Sequence, residues 1–272
     1  MTTVMGKRAA GLLVLLGACG SPAAVLIPVD CPGTSNCCDP TSSQIIYAHS
    51  ASQLFTIDPS NWSPSLIGSF YLSGSLDAGP GMTDLAVSPL DEVYTISYTD
   101  LYRVDPSTAA VTLVMSLLGD VADNFNGLTS LPDGTLLAVD FNGGIVALDP
   151  IAKTATPLGS YGSGFTSSGD LVSVADGTLY GISHTSAGGI DASSNNILLK
   201  VDPHTAVATA IGPIGYGDVY GLGYYGGTLL AFTAEKQIIR LDPNTGAGTT
   251  VSQSSVQFWG AGVSPLISGS CP

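Results

Sequence analysis

Chemistry in this chain would have to come from few residue types. Its 272 residues include 3 histidines, 5 cysteines and 21 acids against 7 lysines and arginines. His49, His184 and His204 stand far apart, and each reads as a lone packing or surface residue. Acid–base or nucleophilic work needs a poised group with partners. No Gly-x-Ser-x-Gly elbow, His-Glu-x-x-His helix or phosphate loop supplies one. Carboxylates are the richer source. Nineteen of the acids are Asp, with Glu92 and Glu235 the two exceptions. Asp120, Asp123, Asn124 and Asn126 crowd one short segment. Oxygen ligands so close together could hold Ca²⁺, which takes about six to eight oxygens. The Asp-x-Asp-x-Asp-Gly loop pattern is absent, however, and Asp and Asn also favour loops for local bonding.

Aromatic residues flanked by short polar groups form a second candidate set: Phe125, Tyr161, Tyr216, Tyr220, Phe258 and Trp259. Such side chains can stack on sugars or anchor peptides. They can equally pack into a core. Nucleic acid is an improbable partner, because the formal net charge is −14 and the chain lacks the basic footprint that phosphate binding needs.

The amino end has the form of an export signal. Lys7 and Arg8 precede an apolar run, Ala9 to Leu16, too short to span the roughly 30 Å of a bilayer core. Leu16-Gly17-Ala18-Cys19 follows and resembles the lipobox of bacterial lipoproteins. That resemblance implies cleavage before Cys19, lipidation of Cys19 and membrane anchoring without a spanning helix. Gly20 follows the Cys where that family uses Asp as an inner-membrane retention signal, so the resemblance favours the outer membrane. Loss of residues 1–18 would take the net charge from −14 to −16. Cys31, Cys37, Cys38 and Cys271 would remain, an even number in an exported chain, which suggests two disulfides. Three pairings are possible. A vicinal Cys37–Cys38 bridge is strained, so one bridge from the 31–38 segment to Cys271 and one within that segment are expected. A reduced metal site is the alternative, and its spacing fits poorly. Residues 19–43 read as a Cys-containing tether.

From residue 44 to 272 one domain is expected, and its punctuation is periodic. Asp58-Pro59, Asp105-Pro106, Asp149-Pro150, Asp202-Pro203 and Asp242-Pro243 recur at steps of 47, 44, 53 and 40 residues. Each closes a short apolar run such as Ile145 to Leu148. The Asp suits a turn, because its carboxylate can accept backbone N–H groups two residues on while Pro presets φ. A structural role for these acids is therefore expected over a metal-binding one. Between them lie hairpin signals, Asp133-Gly134, Asp176-Gly177 and Gly226-Gly227, expected as type I′ turns. With 34 Gly, 17 Pro and no sustained helical period, the chain reads as all-β. A repeat of about 40–45 residues built from strands and turns marks propeller blades.

Five units predict a five-bladed β-propeller, with six blades if the tether hides a further repeat. The first unit begins at a second strand, Gln44 to His49. Trp259 to Pro265 resembles the first strand Thr83 to Pro89, so the C-terminal strand is expected to complete the N-terminal blade and close the ring. The chain resembles bacterial extracytoplasmic propellers with degenerate YVTN-like repeats over residues 44–267, a likeness of architecture that brings no catalytic motif. In this topology the loops joining second to third strands, and those joining blades, share one face. That long-loop face would carry function. Some propellers are metal-dependent hydrolases or lactonases that use acids and Asn about the central channel. Asp84, Asn126, Asp170 and Glu235 could approximate that set. The preferred expectation is a non-catalytic envelope lipoprotein that needs no cofactor and binds a protein or glycan. A metal-dependent enzyme and a purely structural protein are the alternatives.

Overall fold

The computed structural model describes residues 44–75, 79–118, 124–184 and 195–265. The leader, the tether and Cys19, Cys31, Cys37, Cys38 and Cys271 lie outside the described residues, as do Asp120 and Asp123. All regular elements described are β-strands, and they form five antiparallel sheets arranged as the blades of a propeller.

Blade one contains β1 (Ile46–His49), β2 (Gln53–Asp58) and β3 (Ser63–Ser69). After β4 (Tyr71–Leu72), blade two runs through β5 (Asp84–Val87), β6 (Val93–Ile96), β7 (Asp100–Val104) and β8 (Ala110–Ser116). Blade three is β9 (Phe125–Ser130), β10 (Leu136–Asp140), β11 (Gly144–Asp149) and β12 (Thr154–Ser160). Blade four is β13 (Ser167–Ser173), β14 (Leu179–Ser183), β15 (Ile197–Val201) and β16 (Ala208–Pro213). Blade five is β17 (Val219–Tyr225), β18 (Thr228–Thr233), β19 (Gln237–Leu241) and β20 (Gly248–Gln253). The last strand, β21 (Gly260–Gly262), pairs antiparallel with β1 in the register Tyr47↔Gly262 and His49↔Gly260. The C-terminal strand thus supplies the missing inner strand of blade one, and β4 covers the outer edge of blade two by pairing in parallel with β8.

The apolar residues build five wedges, one between each pair of neighbouring blades. Leu137, Val139 and Ile145 of blade three meet Leu171, Leu179 and Leu199 of blade four in one such wedge. Ile46, Ala48, Ile57 and Ala261 of blade one meet Leu230, Phe232 and Ile238 of blade five in the wedge that closes the ring. Because both faces of a middle strand lie against a neighbouring blade, β10 is buried at every position, whereas the outer strand β12 is mostly exposed. Each outer strand carries one extra residue opposite the third strand, as the register shifts there show. An apolar residue occupies the bulge each time: Ile67, Val114, Leu158, Ile211 and Val251 all lean on an adjoining wedge.

All five Asp-Pro turns share one construction. The Asp Oδ1 accepts the backbone N–H two residues on, from Ser60, Ser107, Ile151, His204 and Asn244, at 2.8–2.9 Å. The residue four beyond each Asp takes positive φ: Trp62, Ala109, Lys153, Ala206 and Gly246. These acids are turn caps, as their spacing predicted. The hairpin expectation needs correction. Only Gly226-Gly227 has positive φ at both central residues, as type I′ demands. At Asp133-Gly134 the N–H of Gly134 bonds the Leu131 carbonyl and only Gly134 has positive φ. That is a type I turn with Pro132 at its first corner, followed by a left-handed residue. Asp176-Gly177 repeats it, and in blade two Asp91 takes the left-handed position at φ 59°. Pro132 and Pro89 preset the first corner of this turn in blades three and two, and Ala175 takes it in blade four.

Candidate functional site

Each inner strand starts at the long-loop face and descends along the axis. The position nearest the axis is occupied by Asp84 in β5, Gly127 in β9, Asp170 in β13, Gly221 in β17 and Gly260 in β21. Two acids and three glycines share this layer for a steric reason. A Cβ on Gly221 would stand 2.9 Å from the Ala261 nitrogen, and one on Gly260 would strike both Asp84 Oδ1 and His49 Nε2. The bare position at Gly260 leaves room for the Asp84 carboxyl, and those at Gly127 and Gly221 leave room for the backbone of the next inner strand.

Both acids are fully buried. Asp84 accepts the N–H of Leu85 at 2.8 Å and of Leu128 at 2.7 Å, and the Ala261 N–H lies close enough to stabilise its charge. Asp170 accepts Leu222 N–H at 2.6 Å, with the Leu171 N–H close by. The two carboxyls thus draw on inward N–H groups from all five inner strands, three of them through full hydrogen bonds. They also face each other within hydrogen-bonding reach. Burial pushes Asp84 well above the usual carboxylate range. For Asp170, burial and then the facing Asp84 push the same way. Below this plug the axis retains a cavity of about 10 Å³, lined by Leu85, Leu128, Leu171, Leu222 and Ala261 among others.

The expected channel set therefore comes together only in part. Asp84 and Asp170 converge, but three of their four oxygens already accept backbone donors, and the fourth, Asp170 Oδ1, is buried. Asn126 is buried beside them and turns its Nδ2 to the Ser167 carbonyl at 3.4 Å. Glu235 lies exposed in the turn between β18 and β19, away from the axis. Among the described residues no three His, Cys, Asp or Glu side chains gather to hold a metal. Asn124 is exposed at φ 68°, its N–H on the Tyr98 carbonyl, which is the backbone role Asn favours.

The six aromatic candidates separate by burial. Phe125, Tyr161 and Phe258 are fully buried in three different wedges, so they are core and present no face to a ligand. Phe258 packs edge-on against Phe232 with ring centroids 5.4 Å apart. Tyr216 is half-buried against a wedge, with its hydroxyl 2.9 Å from Thr250 Oγ1. Tyr220 and Trp259 remain at the mouth of the axis. Tyr220 Oη donates to Asp218 Oδ1 at 3.1 Å, and Trp259 is 37% exposed. Burial, then the Asp218 charge, raise the Tyr220 hydroxyl, and Tyr98 adds to this, which brings a blade-two side chain within electrostatic reach of blade five across the mouth.

Tyr98 and Phe141 were missed by sequence reasoning. They sit in the short loops between second and third strands of blades two and three, and they stack with centroids 6.0 Å apart and planes 28° from parallel. Both are exposed. The usable signal was an aromatic residue directly at the end of a second strand on the long-loop face. Tyr98, Phe141, Tyr220 and Trp259 thus come from four different blades around one mouth, above a sealed axis.

No protein-family model matches the chain, and no curated protein matches it. Among solved structures, one from work on the de novo evolutionary emergence of a symmetrical protein shaped by folding constraints is 20% identical, with a TM-score of 0.51, and is matched over 82% of this chain and 99% of its own. At that identity the likeness concerns the fold alone. A structural-genomics protein of unknown function from Bacteroides thetaiotaomicron VPI-5482 is 15% identical, with a TM-score of 0.48, over 77% of this chain and 58% of its own. The second likeness is too distant to carry an argument.

Proposed function

We propose that the long-loop face is a non-catalytic platform that binds a protein or glycan, on a domain held at the bacterial cell envelope by a lipidated Cys19. The observation that carries the binding reading is the aromatic group at the axial mouth, exposed Tyr98 stacked with exposed Phe141, with half-buried Tyr220 and exposed Trp259 from other blades. Rigid aromatic rings offer contact area at little entropic cost and suit sugar faces and peptide side chains alike. Asp218 and Asp100 add acceptors nearby. A purely structural protein has no need of such a cluster. A channel enzyme would need carboxylates that a substrate or ion can reach, whereas Asp84 and Asp170 are sealed from solvent and three of their four oxygens accept backbone donors.

The anchor rests on Leu16-Gly17-Ala18-Cys19 and the outer-membrane preference on Gly20. Two arms test the reading. Immobilised glycans and cross-linked envelope fractions are probed with the wild type and with Tyr98→Ala, Tyr220→Ala and Trp259→Ala. An aromatic anchor contributes about 2 kcal/mol or more, roughly a thirtyfold affinity change. Loss of that size with unchanged melting supports the platform, and unaltered binding by all three variants refutes it. Separately, Cys19→Ser should leave the membrane fraction; continued membrane association would remove the anchor.

A further inference from the structure

The axial acids do no work in the binding reading, and their surroundings pose a charge problem. Asp170 Oδ1 is buried with no donor. It belongs to a carboxyl that faces Asp84, whose own two oxygens accept the Leu85 and Leu128 N–H groups. A second orphan abuts the pair. His49 is fully buried at the end of β1, with Nδ1 2.8 Å from the Ser50 carbonyl. A carbonyl only accepts, so Nδ1 carries the hydrogen and Nε2 is the bare nitrogen. That Nε2 has no partner, yet it and Asp84 Oδ1 both crowd the space beside Gly260 Cα. Two ionised carboxylates here would leave like charges in contact, out of water, with an unpaired oxygen. Among the described residues no lysine or arginine charge acts on either acid. The remaining titratable groups near Asp170 are Tyr161, whose buried hydroxyl feels both Asp170 and Asp140, and Asp84 itself.

We propose that Asp84 and Asp170 form a carboxylic acid–carboxylate pair bridged by one retained proton, and that this pair is the bolt joining all five inner strands at the axis. The bridging hydrogen sits on Asp170 Oδ1 and is donated to Asp84, which fills the orphaned position. Asp84 keeps the negative charge, where the N–H groups of Leu85, Leu128 and Ala261 stabilise it. The remaining N–H groups, from Leu171 and Leu222, fall to Asp170.

A proton held by the folded chain and released on unfolding ties stability to pH. The unfolded acid titrates near its ordinary value of 3.8, so the stabilisation is complete below that pH and is lost as pH rises towards the higher folded value. Buried His49, held down to about 4 from an ordinary 6.5, works in the opposite sense between those values. Several tyrosines raised from 10.0 act only near and above that pH. Among the described residues the clear window is therefore pH 7 to 9 by these limits.

The test uses urea unfolding of the purified full chain across that window, together with infrared spectra of the folded protein. One retained proton makes the unfolding constant rise about tenfold per pH unit. Asp170→Asn puts an amide donor where the proton was, keeps an acceptor for Leu222, and should flatten that dependence to less than about twofold per unit. It should also outlast the wild type at pH 9. The wild type alone should show the carbonyl stretch of a protonated acid at pH 8, a band that Asp170→Asn loses. The spectrum reads protonation even if the variant folds poorly. A flat wild-type profile, or no acid band at pH 8, would overturn the proposal. A hundredfold dependence would overturn it too, since both acids would then be protonated and no carboxylate would remain.

Discussion

Gly260→Ala is the sharpest probe of the axial layer. The added methyl would collide with Asp84 Oδ1 and His49 Nε2 and stand 3.0 Å from Asp84 Cα. Asp84 cannot swing aside freely, since its two oxygens bond Leu85 and Leu128 at 2.8 and 2.7 Å. Overpacking of this kind costs about 1–3 kcal/mol. Displacing Asp84 far enough to break one bond to a buried N–H adds about 1–3 kcal/mol. The expected loss is then about 2–6 kcal/mol. For a domain of this size each kcal/mol lowers Tm by roughly 2–4 °C, so a fall of roughly 4–24 °C is expected. Urea titration checks it through the midpoint at constant slope. Gly81→Ala is the control, because its Cβ meets nothing within 4 Å and the site is exposed; it should stay within about 0.5 kcal/mol of wild type. If Gly260→Ala also stays within that margin, the crowding argument for two acids and three glycines fails.

Phe258→Ala should cost about 3–5 kcal/mol, whereas its neighbour Trp259→Ala should cost under about 1 kcal/mol; differential scanning calorimetry separates the buried residue from the exposed one. Deleting residues 259–265 removes β21 and part of the closing wedge, and should give a species of larger hydrodynamic radius by size-exclusion chromatography, with blade one unpaired on its inner edge. Hydrogen bonds from the Ser107 hydroxyl and N–H hold Asp105 below its ordinary value, and His204 and Thr205 N–H groups do the same for Asp202. Such groups stabilise above their ordinary 3.8 and lose that contribution as pH falls through the lower folded value. The acid limb of the stability profile should accordingly be shallower in Asp105→Asn, as chemical denaturation between pH 4 and 2 would show.

Local chemistry made the blades legible. An Asp that caps its own turn, a Pro that presets φ and an apolar strand beside it act within a few residues of one another, so five copies announce five blades. The closing strand was readable for the same reason, because Trp259 to Pro265 repeats the pattern of Thr83 to Pro89. The turn type at Asp133-Gly134 was misjudged because the dipeptide alone does not reveal that Pro132 takes the first corner. What needed the closed ring was everything measured from the axis. Phe125 and Tyr220 both sit at inner-strand starts, yet one is buried between blades and the other stands at the mouth. Asp84 and Asp170 could be placed about the channel because both begin first strands, but they lie far apart in the chain, and nothing near either one signals that their carboxyls face each other. Ring closure sets that distance: it carries two strand starts from non-neighbouring blades to one point, and glycines in the other three blades let backbone and carboxyl fit there.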